Sequence, residues 1–247
     1  MTRAYDEIGV GYALTRRPDP RLADRIIQAL GDCRSVVNVG AGAGSYEPRD
    51  RMVVAVEPST TMIHQRPSDS APVVQAAAEA LPLPDRGVDA ALAILTLHHW
   101  TDPARGLAEM RRVARRRVVI LTWAQEIWES FWLVREYFPH CDLDRRRAVA
   151  IPHIVSVLGE SQVITVPIPH DCVDGFHGAF WRRPEAYLDL RVRSGISTFA
   201  AMSPDELDGG LGRLAADIRS GEWEDRHGDL LHLDAIDLGY RLVVAAT

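Results

Sequence analysis

Apolar residues in this chain fall into short unbroken runs, separated by polar segments rich in glycine and proline. Runs at 35–39, 52–56, 73–76, 88–95 and 117–123 are continuous rather than alternating. Strands of this kind are covered on both faces, as in a parallel sheet between two helical layers. Helical periodicity precedes and interrupts them. Leu22, Ile26, Ile27 and Leu30 share one face over 21–30, after Pro18 and Pro20 and ahead of Gly31. Leu107, Met110 and Val113 form a stripe over 103–114. The βαβ order predicts an α/β fold with a doubly wound sheet.

After residue 123 the texture changes. Residues 124–160 read as helical and carry Trp128, Phe131, Trp132, Tyr137 and Phe138. A strand is predicted at 161–168, an irregular and helical block at 170–221, and a closing strand at 239–246. No internal repeat or low-complexity linker divides the chain.

Composition narrows the function. Of 247 residues, 47% are hydrophobic and 25% charged, which is ordinary globular usage. The formal charge of −6 lacks the basic footprint of a nucleic-acid binder. All 28 basic residues are arginine, which excludes a Schiff-base lysine, a lysine base and a P-loop lysine within this chain. Cys33, Cys141 and Cys172 are widely spaced, so neither a disulfide framework nor a structural zinc site is expected. No apolar run reaches the length of a membrane span, and residues 1–12 carry no apolar signal core. The expectation is a cytoplasmic protein with no membrane or nucleic-acid partner and no bound metal.

Four segments carry chemistry. The run 36–39 leads into Gly40-Ala41-Gly42-Ala43-Gly44-Ser45, where bare backbone can turn sharply and lie against a ligand. Ser45 occupies the place of the third glycine of the dinucleotide fingerprint, which disfavours a nicotinamide nucleotide. Glu57 ends the second strand, where a carboxylate can accept both hydroxyls of a ribose. The third segment is 76–85, with Ala78 and Glu79. The fourth is 95–103, with His98 and His99 directly after the fourth strand, where this kind of sheet binds its ligands.

In this order and spacing, the four segments resemble class I S-adenosylmethionine-dependent methyltransferases of the type 11 small-molecule group. The resemblance covers about residues 5–123. It implies a Rossmann-like methyltransferase sheet with an antiparallel last strand and a helical cap. It also implies one domain over 1–247: an arm at 1–20, a cofactor-binding core at 21–123, a substrate cap at 124–235 that includes the strand 161–168, and a last strand at 236–247. By position, Gly40, Ala41 and Gly42 would line the methionine part of S-adenosylmethionine. Glu57 would hold the ribose, Pro58 and Met62 would lie against the adenine, and Ala78 and Glu79 would flank its edge. Leu95 and Thr96 backbone would meet the cofactor's amino group, and Tyr12 and Arg17 its carboxylate. Two positions depart from the pattern. Asn38 stands where the family has an acidic residue, and Ala77 where many members have an aspartate.

The acceptor chemistry is less defined. His98 or His99 is a candidate general base, against a purely turn-capping role. The segment 174–181 presents His177 between two glycines as a further candidate in an acceptor pocket. His140, Cys141 and His153 match no common metal spacing and read as structural. The segment after the fourth strand lacks the Asp/Asn-Pro-Pro-Tyr/Phe motif associated with amino methylation of adenine or glutamine and the Pro-Cys of cytosine C5 methylation, and an aromatic-lined cap over an acidic core favours a small organic acceptor. Two other uses of the fold stay open: cyclisation of the cofactor's aminobutyryl chain, and binding without turnover. The oligomeric state is not legible.

Overall fold

The computed structural model describes residues 16–139, 148–200 and 202–247. Helix α1 (Pro20–Leu30) starts at Asp19, whose carboxylate caps the Arg21 amide at 3.0 Å, and Gly31 ends it. Strands β1 (Ser35–Val39) and β2 (Met52–Val56) follow, then the short helix α2 (Thr60–His64), β3 (Val73–Val74) and β4 (Val88–Ile94). A single 3₁₀ turn, Leu97–His99, leads to α3 (Pro103–Val113) and directly into β5 (Ala114–Trp123). Helix α3 has Asp102 as its cap, on the Arg105 amide, and Pro103 in its first turn.

Beyond β5 come α4 (Gln125–Trp128), a π-helical turn (Leu133–Tyr137), α5 (Ile151–Leu158), β6 (Ser161–Thr165) and β7 (Ile168–Pro169). The rest of the cap contributes α6 (Leu190–Ser194), α7 (Ser197–Ala200), α8 (Pro204–Ser220) and α9 (Glu222–His227). Strands β8 (Ala235–Ile236) and β9 (Tyr240–Ala246) close the chain.

The main sheet has the order β3-β2-β1-β4-β5-β9-β6. Strands β1 to β5 pair in parallel, and β9 runs antiparallel to both β5 and β6. The doubly wound sheet with a late antiparallel strand is therefore present. Its order reverses between β1 and β4, which opens a crevice at their carboxyl ends. One face packs on α1 and the aromatic cap, the other on α3 and α5.

Three local differences from the sequence reading have physical causes. The run 161–168 is not one strand of the cap. Pro167 lacks an amide donor and interrupts it, so β6 extends the main sheet beside β9 while β7 pairs with β8 in a separate ribbon. Pairing begins earlier in β5 than its apolar run, because the buried Ala114 pairs with Val88 and an irregularity in register carries the exposed Arg115 and Arg116 before Arg117 pairs with Ala90. Trp128 ends α4 and Trp132 immediately precedes the π-helical turn, so the two do not share one helix. The Trp132 indole donates to the Trp181 carbonyl at 2.9 Å within the core.

Candidate active site

The glycine turn is built from β1 outward. Beyond Val39, the Gly40 and Ala41 amides both donate to the Val56 carbonyl of β2, at 2.8 and 3.1 Å. Gly40 (φ +68°) and Gly42 (φ +53°) adopt left-handed backbone, which glycine takes without penalty. A Cβ on Gly40 would overlap the Thr96 hydroxyl, so the turn lies directly on the loop after β4. The Gly42 amide donates to Glu57 Oε2 at 2.8 Å, and the Ser59 amide to Oε1 at 2.9 Å. Glu57 is buried, and burial pushes its carboxyl above the usual range, against the lowering effect of the Ser59 and Gly42 amides. Two accepted bonds leave a carboxylate with capacity for two more donors, which suits a vicinal diol.

A buried ion pair braces this turn from outside. The Arg66 guanidinium meets both Glu47 oxygens at 2.8 Å, and its other terminal nitrogen donates to the Gly42 carbonyl at 3.3 Å. Their side chains are only 4% and 8% exposed, so the pair is screened little by water. Asn38, at the end of β1, donates its amide to Glu47 Oε1 at 3.2 Å. Glu47 thus stands beside position 38, with its carboxylate already held by Arg66 and the Ala71 amide.

Next to the turn lies an open pocket whose walls include Leu95, His98, His99, Trp123, Trp128 and His177. Leu95 holds φ +48°, a strained state for a branched residue that costs on the order of 1–3 kcal/mol. Its amide is fixed on the Leu121 carbonyl at 2.8 Å. The turn behind it brings the His98 and His99 rings to 3.6 Å between centroids, with His98 edge-on to Trp123 at 4.9 Å. His177 meets Trp128 at 4.7 Å. Arg16 forms another wall, and its Nε donates to Asp174 at 2.7 Å. Asp174 is fully buried and also accepts the Tyr46 hydroxyl at 2.8 Å.

Gly40, Gly42, Glu57, Met62 and Thr96 converge at one end of the cleft, and Met62 Cε lies 3.3 Å from the place of a Gly42 Cβ. Ala41 and Ala78 are buried; Pro58 is exposed. The Glu79 carboxylate accepts from the Thr101 and Asp102 amides at 2.7 and 3.0 Å, which ties the third segment to the fourth. Arg17 is exposed, and its neighbour Arg16 takes the pocket wall. Tyr12, His140 and Cys141 lie outside the described residues. Among the described residues, no group of three or more histidine, cysteine, aspartate or glutamate side chains is arranged to hold a metal. No helix among them is long and apolar enough to cross a membrane. Sequence reasoning passed over Glu47, Arg66, Tyr46 and Arg16. Tyr46 and Glu47 directly follow the glycine run, but their partners Asp174 and Arg66 have no periodic signature.

A protein from Anabaena variabilis, described as a methyltransferase from an antibiotic biosynthesis pathway, superposes with a TM-score of 0.88 at 35% identity. The match covers 94% of this chain and 99% of that one. The chain belongs to the class I S-adenosylmethionine-dependent methyltransferases. A methyltransferase-domain family model of type 11 matches residues 37–122 of this methyltransferase, the stretch that builds the glycine turn, Glu57 and the histidine pair. An uncharacterized methyltransferase of Mycobacterium tuberculosis is 34% identical over 102 residues, 39% of this chain and 41% of that protein. The match thus spans about two fifths of that curated relative. The [4+2]-cyclase SpnF shares the fold at 16% identity, with a TM-score of 0.53. The glycine turn fits the family's cofactor: its backbone is bare where a Cβ would intrude, and a buried carboxylate stands beside it.

Proposed function

We propose that this protein transfers a methyl group from S-adenosylmethionine to a small organic acceptor held in the pocket beside the glycine turn. The observation that supports it is adjacency. Leu95 lines the pocket, while the next residue, Thr96, packs on Gly40 of the turn. When bound, S-adenosylmethionine supplies an electrophilic methyl group on sulfonium.

The chain's residues would divide the work as follows. Gly40, Ala41 and Gly42 present bare backbone to the methionyl portion. Glu57 accepts the ribose hydroxyls, its carboxylate oriented by the Gly42 and Ser59 amides. Pro58, Met62 and Ala78 bound the adenine, and Glu79 acts through the loop at 101–102. Leu95 and Thr96 offer main-chain acceptors to the ammonium. Asn38 contributes by orienting Glu47. The aromatic walls exclude water, and His98 or His99 takes the acceptor's proton as its nucleophile attacks.

Incubation with S-adenosylmethionine and acceptor tests the reading. S-adenosylhomocysteine is the expected product; methylthioadenosine would mean attack on the aminobutyryl chain and would replace the proposal. His99→Ala is expected to lower turnover roughly 10²-fold or more, as for loss of a general base, with S-adenosylhomocysteine affinity within twofold of wild type. An unchanged rate at saturating acceptor would remove His99 from the proton transfer.

Glu57 gives a pH signature. Its carboxyl is raised by burial, so protonation sets in at a higher pH than for an ordinary glutamate. A raised folded-state value means that protonation stabilises the cofactor-free protein as pH falls through that value. A ribose held by the carboxylate loses its acceptor over the same range. S-adenosylhomocysteine affinity is therefore expected to weaken in mild acid while the unfolding midpoint of the free protein does not fall in step. Calorimetry across pH, with Glu57→Gln as the pH-insensitive reference, checks both signs.

A further inference from the structure

We propose that Tyr46 is a positioning residue: its hydroxyl ties the cofactor turn to the Arg16 wall of the acceptor pocket, so that occupancy of one and arrangement of the other are coupled. The proposal rests on the reading of that pocket as the acceptor site and goes further by naming the residue that joins it to the cofactor.

The backbone at Tyr46 is the first sign. It holds φ +61°, left-handed for a bulky residue, and the side chain is buried. A residue keeps such a conformation when its surroundings over-determine it, and such positions gather at functional sites. Among the described residues three non-glycine positions share this backbone. Two of them, Tyr46 and Leu95, lie in the loops after β1 and β4, the strands between which the crevice opens.

Hydrogen bonds supply the over-determination. The Tyr46 hydroxyl accepts the Asp19 amide at 3.2 Å and donates to Asp174 Oδ2 at 2.8 Å. Burial first, and the Asp174 carboxylate second, push the phenol far above its ordinary pKa, so the hydroxyl keeps its proton and goes on donating. Asp174 Oδ1 accepts Arg16 Nε at 2.7 Å, and Arg16 lines the pocket. Asp19 Oδ2 also accepts the Val173 amide at 3.1 Å, so the cap segment that carries Asp174 is held twice.

Tyr46 is equally fixed to the cofactor turn. The next residue, Glu47, meets the Arg66 guanidinium at 2.8 Å, and Arg66 donates to the Gly42 carbonyl at 3.3 Å. A shift of the turn is passed to Asp174, and through it to Arg16. Such coupling is reciprocal: a ligand that holds the turn holds the Arg16 wall, and a ligand that holds the wall favours the turn.

The amides of Asp19 and Val173 report on this network. Hydrogen exchange of the full chain is followed at both, with and without S-adenosylhomocysteine at about 100 times its dissociation constant, which disfavours any opening that destroys its site about 100-fold. In the wild type the ligand is expected to slow both amides at least tenfold, together with those of residues 40–44. In Tyr46→Phe, which keeps the ring and removes the hydroxyl, residues 40–44 keep their slowing while that at Asp19 and Val173 falls below twofold. A hydroxyl with only a structural role would speed exchange equally with and without ligand and leave the ratio at its wild-type value; that result overturns the proposal. Should the variant not fold, the wild type decides: slowing at the turn, Asp19 and Val173 together supports the coupling, and slowing at the turn alone overturns it. If S-adenosylhomocysteine does not bind the wild type at all, the reading of the glycine turn fails and takes this proposal with it, so the two failures are told apart.

Discussion

A Gly42→Val protein folds but binds S-adenosylhomocysteine at least about 100-fold more weakly than wild type, a loss of about 2.7 kcal/mol or more. Among the described residues, only Met62 Cε comes within 4 Å of a Cβ at this position, at 3.3 Å, so the fold accepts one if that flexible tip gives by a few tenths of an ångström. The backbone does not suit valine: at φ +53° a β-branched residue costs on the order of 1–3 kcal/mol. The turn relieves that strain by shifting, and the 2.8 Å bond from the Gly42 amide to Glu57 goes with it. The valine methyls also stand on the surface that has to approach the cofactor. Gly40→Ala makes the contrast. Its methyl would collide with Thr96, which lies under the turn, so stability and binding are expected to fall together. Calorimetric titration with a parallel denaturation curve separates the two cases. Wild-type affinity in Gly42→Val would remove the glycine turn from cofactor binding.

Asp174→Ala loses about 3–5 kcal/mol of stability, the usual cost of breaking a buried ion pair from one side. Asp174 is fully buried, and its oxygens accept from Arg16 at 2.7 and 3.3 Å and from the Tyr46 hydroxyl at 2.8 Å. Tyr46 itself accepts from the Asp19 amide at 3.2 Å, so the network joins the start of α1, the glycine loop and the cap. Alanine leaves a guanidinium with 11% side-chain exposure facing a gap. The double replacement Arg16→Met/Asp174→Leu should recover most of the loss, because neither charge is then stranded. Urea denaturation of the single and double variants reads both effects. A single-variant change below about 1 kcal/mol, the range of an exposed pair, would show that the buried pairing contributes little.

The parallel strands were legible because both their faces are buried, so an unbroken apolar run is enough to mark each one. Strand β6 was harder. Its residues are half-buried or exposed at the sheet edge, and the long-range ladder to β9, with Pro167 after it, separates it from β7. The cofactor end of the cleft was legible for a different reason: a turn that needs bare backbone restricts residue type at Gly40 and Gly42 within a few positions. Arg17 and Arg16 show the limit. Adjacent arginines look alike in sequence, and only the buried Asp174, 158 residues away, decides that Arg16 is the one drawn into the pocket.

By itself, the amino-acid sequence determined the doubly wound order, the glycine turn and the carboxylate at the tip of β2, since each depends on local periodicity or on the backbone freedom of single residues. Tertiary structure alone decided that Glu47 and Arg66 brace the turn, that Glu79 ties one loop to another, and that His98, His99, His177 and Arg16 share one pocket. Those are meetings between side chains distant along the chain. Burial, hydrogen bonding and charge select such partners only once the sheet has brought its carboxyl ends together.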